Sequence, residues 1–231
     1  MTPSPACLAP TFFLDADHPA VAAFARRAAG TGPAHEQAIR VYYAVRDEIL
    51  YDPYAIELSP EHLRASAVLA RGKAFCIPKA VLLAAGLRSL GIPARLGFAD
   101  VKNHLATERL LRAMGTDLFA YHGFTELWLG ERWVKATPAF NLTLCQKFRV
   151  KPLDFDGATD SVLHPFDADG RRHMEYVRQR GSFDDLPFAQ IRAEFLALYP
   201  GIFAAAERPE GDFAAEAERE HGYPSEVKAA I

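Results

Sequence analysis

Apolar residues in the first ninety positions recur with the 3.6-residue period of α-helices. This spacing predicts a helix over about 34–50 that turns one face toward the core. Further helices are predicted over about 20–29, over 60–69 with Ser59 as its cap, and over the apolar run 77–90. The first part of the chain is therefore predicted to be largely helical.

The hydrophobic period changes to two after residue 120. Two runs rich in aromatic and β-branched residues, 122–129 and 133–137, flank the turn sequence Gly130-Glu131-Arg132. This arrangement predicts a β-hairpin. Alternation along the first strand places one set of side chains on a common face, in order His122, Phe124, Glu126 and Trp128.

The remainder of the chain is less regular. Alternation over 142–145 predicts a short strand that carries Cys145 into the core, and the acidic stretch 154–169 predicts a loop. Apolar spacing predicts helices over 174–180 and 189–199.

Length and composition are those of an ordinary globular protein. The 231 residues are 50% hydrophobic and 24% charged, which provides for a sizeable core. With no internal repeat and no clear linker, residues 1–231 are predicted to form a single domain, with 207–231 as a peripheral tail.

Charge and cysteine content narrow the function classes. A formal net charge of −3 without a basic face argues against nucleic-acid binding. The three cysteines, Cys7, Cys76 and Cys145, form no Cys-x-x-Cys pair and suggest a reducing compartment. With no secretory signal and no apolar run of membrane-spanning length, we expect a cytoplasmic protein without membrane association.

Motifs for cofactors and metals are missing from the sequence. Gly30 and Gly32 lack the third glycine of a dinucleotide fingerprint, and Gly72-Lys73 lacks the rest of a phosphate loop. The acidic stretch does not follow the order of a calcium loop, and no zinc pattern is visible. We therefore expect neither a cofactor nor a metal.

Cys76 stands where a turn-like stretch meets the predicted helix 77–90. Free backbone N–H groups and the dipole at a helix start favour an anion, so they lower a thiol pKa toward the nucleophilic thiolate. The alternative is a small buried thiol that only packs beneath the helix.

His122 is the candidate base for such a nucleophile. A nucleophilic thiol needs a base within hydrogen-bond reach, and a histidine at a strand start can face a neighbouring helix end. The other candidates, His104, His164 and His173, lie in stretches predicted to be loop or helix, where a histidine is usually structural or exposed.

These residues resemble the transglutaminase-like superfamily. The resemblance rests on the segment 75–95, which runs from Phe75-Cys76 to Leu-Gly-Ile-Pro-Ala-Arg, and on His122 with its Trp-containing hairpin; it covers about 65–141. It implies an α+β, papain-like fold in which helices pack on a small antiparallel sheet and Cys76 begins a central helix. It further implies Cys76 as nucleophile and His122 as general base and acid.

The third catalytic residue departs from the family pattern. The position where the family usually carries Asp before Pro is Thr137 here. A hydroxyl can accept a hydrogen bond from imidazole, but it brings no charge to stabilise an imidazolium. Asn141 is a second candidate, because an amide orients the histidine in papain-like variants.

Two functions follow as expectations. The first is acyl transfer at an amide or isopeptide carbonyl of a peptide, protein or small amide through a thioester on Cys76, with hydrolysis slightly preferred over cross-linking. The second is a catalytically inactive module that binds a peptide or protein partner, which Thr137 favours. The sequence indicates no oligomeric state.

Overall fold

The computed structural model describes residues 2–167, 169–203 and 211–221. Its α-helices are α1 (Pro19–Ala29), α2 (Ala34–Glu48), α3 (Ala65–Arg71), α4 (Cys76–Ser89), α5 (Glu108–Met114), α6 (Leu142–Phe148), α7 (Phe188–Leu198), α8 (Pro200–Phe203) and α9 (Phe213–His221). Its strands are β1 (Leu50–Tyr51), β2 (Lys73–Ala74), β3 (Ala94–Asn103), β4 (Leu118–Leu129), β5 (Arg132–Ala136) and β6 (Met174–Phe183).

Strands β3 to β6 form an antiparallel sheet in the order β5-β4-β3-β6. Strands β1 and β2 make a separate parallel pair that ends immediately before α4. Helices packed on a small antiparallel sheet confirm the predicted α+β class.

Helix α4 is the buried helix around which the other elements pack. Every residue from Ile77 to Arg88 is buried, because α1, α2, α3, β3 and β4 all contact this helix. Even Lys79 is buried, and its amine donates to the carbonyls of Arg46 (2.8 Å) and Ile49 at the end of α2. These bonds satisfy carbonyls that the end of α2 would otherwise leave unpaired. The predicted apolar helix is confirmed.

The β4–β5 hairpin is also confirmed. Its two-residue turn, Gly130–Glu131, has φ angles of 54° and 64°, as a turn matched to the strand twist requires. Across the hairpin Trp128 pairs with Trp133, and their rings meet edge to face at 5.5 Å between centroids.

Two predicted elements are of the wrong type. Residues 142–145 lie in helix α6 instead of a strand, and Asp47 accepts the free N–H of Leu142 at the start of that helix (2.9 Å). Residues 174–180 belong to strand β6 instead of a helix, because they complete the sheet along β3. In both cases tertiary contacts override the local pattern.

The helix predicted over 60–69 is interrupted. A short 3-10 turn, Glu61–Leu63, is followed by an extended Arg64 before α3 begins. The Ser59 hydroxyl donates to Glu57 (2.8 Å) and does not cap a helix.

Part of the predicted tail is a packed helix. Helix α9 buries Phe213 and Ala217 and contacts α6. Residues 207–210 and 222–231 of the predicted tail lie outside the described residues. Within the part of the chain that is described, no helix has both the length and the apolar character needed to cross a bilayer.

Strand β4 and the start of α4 touch at Gly123. A Cβ atom at this position would lie 3.0 Å from the Ile77 Cα and 3.4 Å from the Ile77 backbone nitrogen. Backbone cannot yield as a flexible side chain does, so any larger residue pushes the helix away from the strand.

We expect Gly123→Ala to lower the free energy of unfolding by about 1–3 kcal/mol, because its methyl group meets the α4 backbone. Gly86→Ala is the matched control. Its Cβ would meet Val41 and Ala25 at ordinary contact distances of 3.5 and 3.6 Å, so the better helix propensity of Ala should keep or raise stability by up to about 1 kcal/mol. Urea unfolding measures both, and equal effects of the two substitutions would contradict the close approach at Gly123.

Candidate active site

Cys76 is the first residue of helix α4. The preceding Phe75 is extended and offers no side-chain cap, so the N–H groups of the first turn are free of a capping side chain. The backbone N–H groups of Gly123, Ile77 and Cys76 itself act on the Cys76 sulfur in the direction that lowers the thiol pKa. The Gly123 contact fixes the sulfur next to the peptide bond that follows His122.

Burial nevertheless raises the pKa of the Cys76 thiol to about 11. The expectation that the helix start brings this thiol toward thiolate is therefore wrong for the free protein. Three backbone N–H groups do stabilise the anion, but the loss of water around the sulfur outweighs them. The resting group at neutral pH is the thiol.

His122 lies on β4, opposite Ala99 of β3, and is 5% exposed. Burial lowers the pKa of its imidazole to about 4, so the ring is neutral at pH 7. Its Nε2 atom is buried and has no hydrogen-bond partner among the described residues. His122 and Cys76 line the same cavity of about 40 Å³, so the structure brings the two predicted site residues together.

A β-bulge directly precedes His122. Tyr121 has a φ of 53°, which is unusual for a residue other than glycine, and the β3–β4 register shifts between Ala99 and Val101. The Tyr121 N–H donates to the Asp100 carboxylate (3.1 Å), and Arg180 pairs with that carboxylate. This charged pair stabilises the strained backbone from which His122 projects.

Thr137 and Asn141 occupy different surroundings. The Thr137 hydroxyl is buried without a hydrogen-bond partner in the described part of the chain. The Asn141 amide accepts from the Tyr51 N–H (3.0 Å) and donates to Thr143 (2.7 Å), so it joins β1 to α6. Neither of the hydrogen bonds described for Asn141 involves His122.

The cavity beside Cys76 is lined by further residues that the sequence did not single out, which we call the cover. Helices α7 and α8 and their junction contribute Phe195, Tyr199 and Ile202, and helix α5 contributes Leu110 and Met114. Because these residues lie far from Cys76 along the chain and have no sequence motif, only the folded structure reveals them.

Tyr199 attaches this cover to strand β4. Its hydroxyl donates to the carbonyl of Leu118 (2.9 Å) and accepts from the N–H of Ala120 (2.6 Å). Both partners lie on β4 immediately before the bulge. The phenol thereby satisfies backbone groups that the irregular strand would leave unpaired.

The other histidines line different cavities. His164 lies in an open cavity beside α6, and His104 lies in a second one along β6. His173 is buried and stacks on Phe140. Of the four histidines weighed from the sequence, His122 is the one that shares a cavity with Cys76. The residues that the structure describes contain no cluster of His, Cys, Asp or Glu able to hold a metal ion.

A wider groove adjoins the closed cavity. It has a volume of about 520 Å³, and polar residues line it, among them Asp52, Lys73 and Asp212. Tyr51 lines both spaces and therefore lies between the solvent-facing groove and the thiol.

The pKa of His122 predicts a pH dependence of stability. Its folded-state pKa of about 4 lies below the ordinary 6.5, so the folded protein binds fewer protons than the unfolded chain between these values. We expect the free energy of unfolding to fall as pH drops from 6.5 to 4, with His122 contributing up to about 3 kcal/mol. His173, whose pKa is also about 4, acts in the same direction.

Urea unfolding from pH 7 to pH 4.5 measures this effect. His122→Gln should lose less stability over this interval than the unsubstituted protein. The exposed His35 on α2 provides the control, since His35→Gln should leave the pH dependence as it was. A His122→Gln protein with the original slope would contradict a buried neutral imidazole.

Comparison with known proteins assigns the sequence to a family. The sequence profile of the transglutaminase-like superfamily matches residues 22–138, more than half of the chain. No curated protein matches the sequence. Among solved structures, a candidate cysteine protease from Cytophaga hutchinsonii is 15% identical and has a TM-score of 0.49, with 79% of this chain and 47% of that chain covered.

A second solved structure, a candidate protease from Parabacteroides distasonis, is also 15% identical and has a TM-score of 0.37, with 57% of this chain and 26% of that chain covered. The chain spans less than half the length of either protein, and similarities this distant carry no argument about its activity. The profile match includes both Cys76 and His122. On this match, the chain belongs to the transglutaminase-like superfamily.

Proposed function

We propose that this protein is a cysteine-dependent hydrolase that cleaves an amide or isopeptide bond through a thioester on Cys76. The observation that supports it most is the shared cavity, which is lined both by a thiol at the start of a buried helix and by an imidazole with an unpartnered ring nitrogen. Membership in the transglutaminase-like superfamily agrees with cysteine chemistry of this kind.

In the first step, the Cys76 S–H proton moves to the His122 imidazole as sulfur bonds to the carbonyl carbon. The carbonyl oxygen becomes an oxyanion. Collapse of this intermediate breaks the C–N bond, and the amine leaves with the proton from His122. Water then attacks the thioester with His122 as base, which releases a carboxylic acid and restores the thiol.

The oxyanion lies among the N–H groups that now surround the sulfur. We assign the backbone N–H groups of Cys76 and Gly123 as its two donors, because both act on the sulfur and lower the pKa of the thiol. Donors from a helix start and from a strand then flank the reacting carbon, and the close approach at Gly123 fixes their separation.

Proton transfer accompanies the attack and does not precede it. Burial raises the pKa of Cys76 and lowers the pKa of His122, so both shifts disfavour a standing thiolate–imidazolium pair. When transfer and attack coincide, the negative charge moves to the oxyanion, which has its own N–H donors. Such a site does not need a carboxylate to hold a resting imidazolium, which fits Thr137 at the position of the family's Asp.

Hydrolysis is preferred over cross-linking. A water molecule needs no binding site of its own to attack the thioester, whereas cross-linking needs a site that selects the attacking amine, for which the sequence has no motif. We place the reaction in the cytoplasm, since Cys7, Cys76 and Cys145 are all free thiols and a reducing compartment keeps them so. The substrate is a peptide, protein or small amide.

The second candidate is a non-catalytic module that binds a peptide or protein partner in the adjoining groove. The observation that favours it is the buried Thr137 hydroxyl without a partner, where an active relative would carry Asp. In that case the thiol and imidazole remain in place without function.

Trapping of the thioester separates the two. We expect intact-protein mass spectrometry, after incubation with a peptide and small-amide library and acid quench, to show an acyl adduct on Cys76. Cys76→Ala should abolish the adduct, and His122→Ala should slow its formation by at least about 100-fold, since general base catalysis is removed.

Cys145→Ala is the matched control. Cys145 is a second buried thiol outside the cavity, so its replacement should leave the adduct unchanged. An adduct that survives Cys76→Ala, or a protein that binds library members without ever forming one, would refute the hydrolase and favour the module.

A further inference from the structure

We propose that the acyl part of the substrate, on the carbonyl side of the cleaved bond, carries an apolar side chain that is aromatic or branched aliphatic. This inference rests on the proposed function, because it concerns the group that becomes attached to Cys76. It assigns a substrate class to the cavity and not to the outer groove.

The walls around the thiol are apolar on several sides. Leu110 and Met114 come from α5, Phe195 from α7 and Ile202 from α8, and Phe75 lies immediately before the cysteine. Among the described residues that line this cavity, none carries a carboxylate, an ammonium or a guanidinium group.

The few polar groups in the walls leave little for a polar substituent. The Tyr199 hydroxyl is already engaged with two backbone groups of β4. The thiol and the imidazole are assigned to the reaction, which leaves the Tyr51 hydroxyl, on the side of the outer groove, as one further polar side-chain group of the described lining. A charged or carboxamide side chain on the substrate would therefore lose more bonds to water than these walls can replace, which is costly.

The pKa shifts of Cys76 and His122 agree with a cavity that accepts an uncharged, apolar group. Burial shifts the pKa of Cys76 upward and the pKa of His122 downward, so that each favours its neutral form. An environment that disfavours charge on its own side chains disfavours it equally on a substrate group in the same space.

The size of the cavity indicates how such a group enters. At about 40 Å³ it cannot hold a side chain larger than a methyl group unless the cover moves. Phe195 and Ile202 of the cover line this space. A phenyl or isobutyl group matches these side chains in kind and size, so it can take their place and restore the apolar contacts.

The adjoining groove is lined by charged side chains, in contrast to the apolar cavity. The ion pair of Lys73 with Asp52 (2.9 Å) and the carboxylate of Asp212 line it, and Tyr51 separates it from the thiol. A polar leaving amine fits there. The expected substrate is thus an amide with an apolar acyl side and a polar amine side.

Peptidyl chloromethyl ketones test the acyl preference directly. A panel of benzyloxycarbonyl-Ala-Xaa chloromethyl ketones is used, with Xaa as Phe, Leu, Gln, Asp or Lys, and the rate of Cys76 alkylation is measured by intact-protein mass spectrometry. We expect the Phe and Leu probes to react at least about tenfold faster than the other three. Equal rates across the panel would overturn the inference.

The two failures are distinguishable. Equal but His122-dependent alkylation refutes the acyl preference and leaves the hydrolase standing. If none of the five probes alkylates Cys76 in the folded protein, although urea-unfolded protein is labelled, both the preference and the hydrolase fail.

Charge inserted into the cavity wall provides a second readout. Met114→Lys should raise the rate of the Asp probe relative to the Leu probe, since Met114 lines the cavity. Leu196→Lys adds the same charge to the exposed side of α7 and should leave the ratio unchanged. If Met114→Lys does not fold, Met114→Ala takes its place. This substitution enlarges the cavity and should therefore raise the rate of the Phe probe relative to that of the Leu probe. An unchanged ratio would count against the inference.

Discussion

The close packing of the α4 start against strand β4 is the contact on which the site depends. Because residue 123 has no side chain, the Ile77 backbone reaches the strand, and the Cys76 sulfur reaches the Gly123 N–H. The same strand carries His122 one position earlier. One glycine therefore brings together the groups that we propose as nucleophile, base and oxyanion donors, and the buried body of α4 opposes their separation.

The same surroundings bear on the proposed chemistry. The thiol of the partly buried Cys76 and the imidazole of the buried His122 both favour their neutral forms, so the helix start does not produce a thiolate by itself. In the proposed reaction the N–H donors act on the charge that develops, instead of on a resting anion. The apolar cover and the Thr137 at the position of the family's Asp are consistent with one another. Neither of them would stabilise a resting ion pair between a Cys76 thiolate and a His122 imidazolium.

The sequence predicted the parts of the fold that local pattern controls. The apolar run of α4 indicates a buried helix from its own residues alone. The turn residues Gly130–Glu131 between two alternating runs likewise indicate a hairpin. Strand β6 could not be predicted, because its residues become a strand only by pairing with β3. The strand predicted over 142–145, where helix α6 lies, was wrong for a similar reason. Asp47, which is distant in sequence, accepts the N–H of Leu142 at the start of this helix.

The residues of the candidate site also fall into those that the sequence could predict and those that it could not. Cys76 and His122 could be found because a helix start, a predicted strand and the resemblance agreed on them, although β4 begins at Leu118 and His122 lies within it instead of at its start. The cover residues Phe195 and Tyr199 could not, since packing alone brings them to the thiol. Nor could the bulge at Tyr121, because a tyrosine gives no sign of a positive φ and the carboxylate that binds its N–H, Asp100, lies on another strand.

The most direct test of this account is the protonation of His122 followed by NMR of its imidazole nitrogens. With Cys76 intact, the ring should stay neutral as pH falls from 8 and should gain its proton only near pH 4. Methylthiolation of Cys76 should shift the resonances of the same ring. An imidazolium at neutral pH, or a ring that does not respond to modification of Cys76, would contradict a neutral thiol–imidazole pair in one buried cavity.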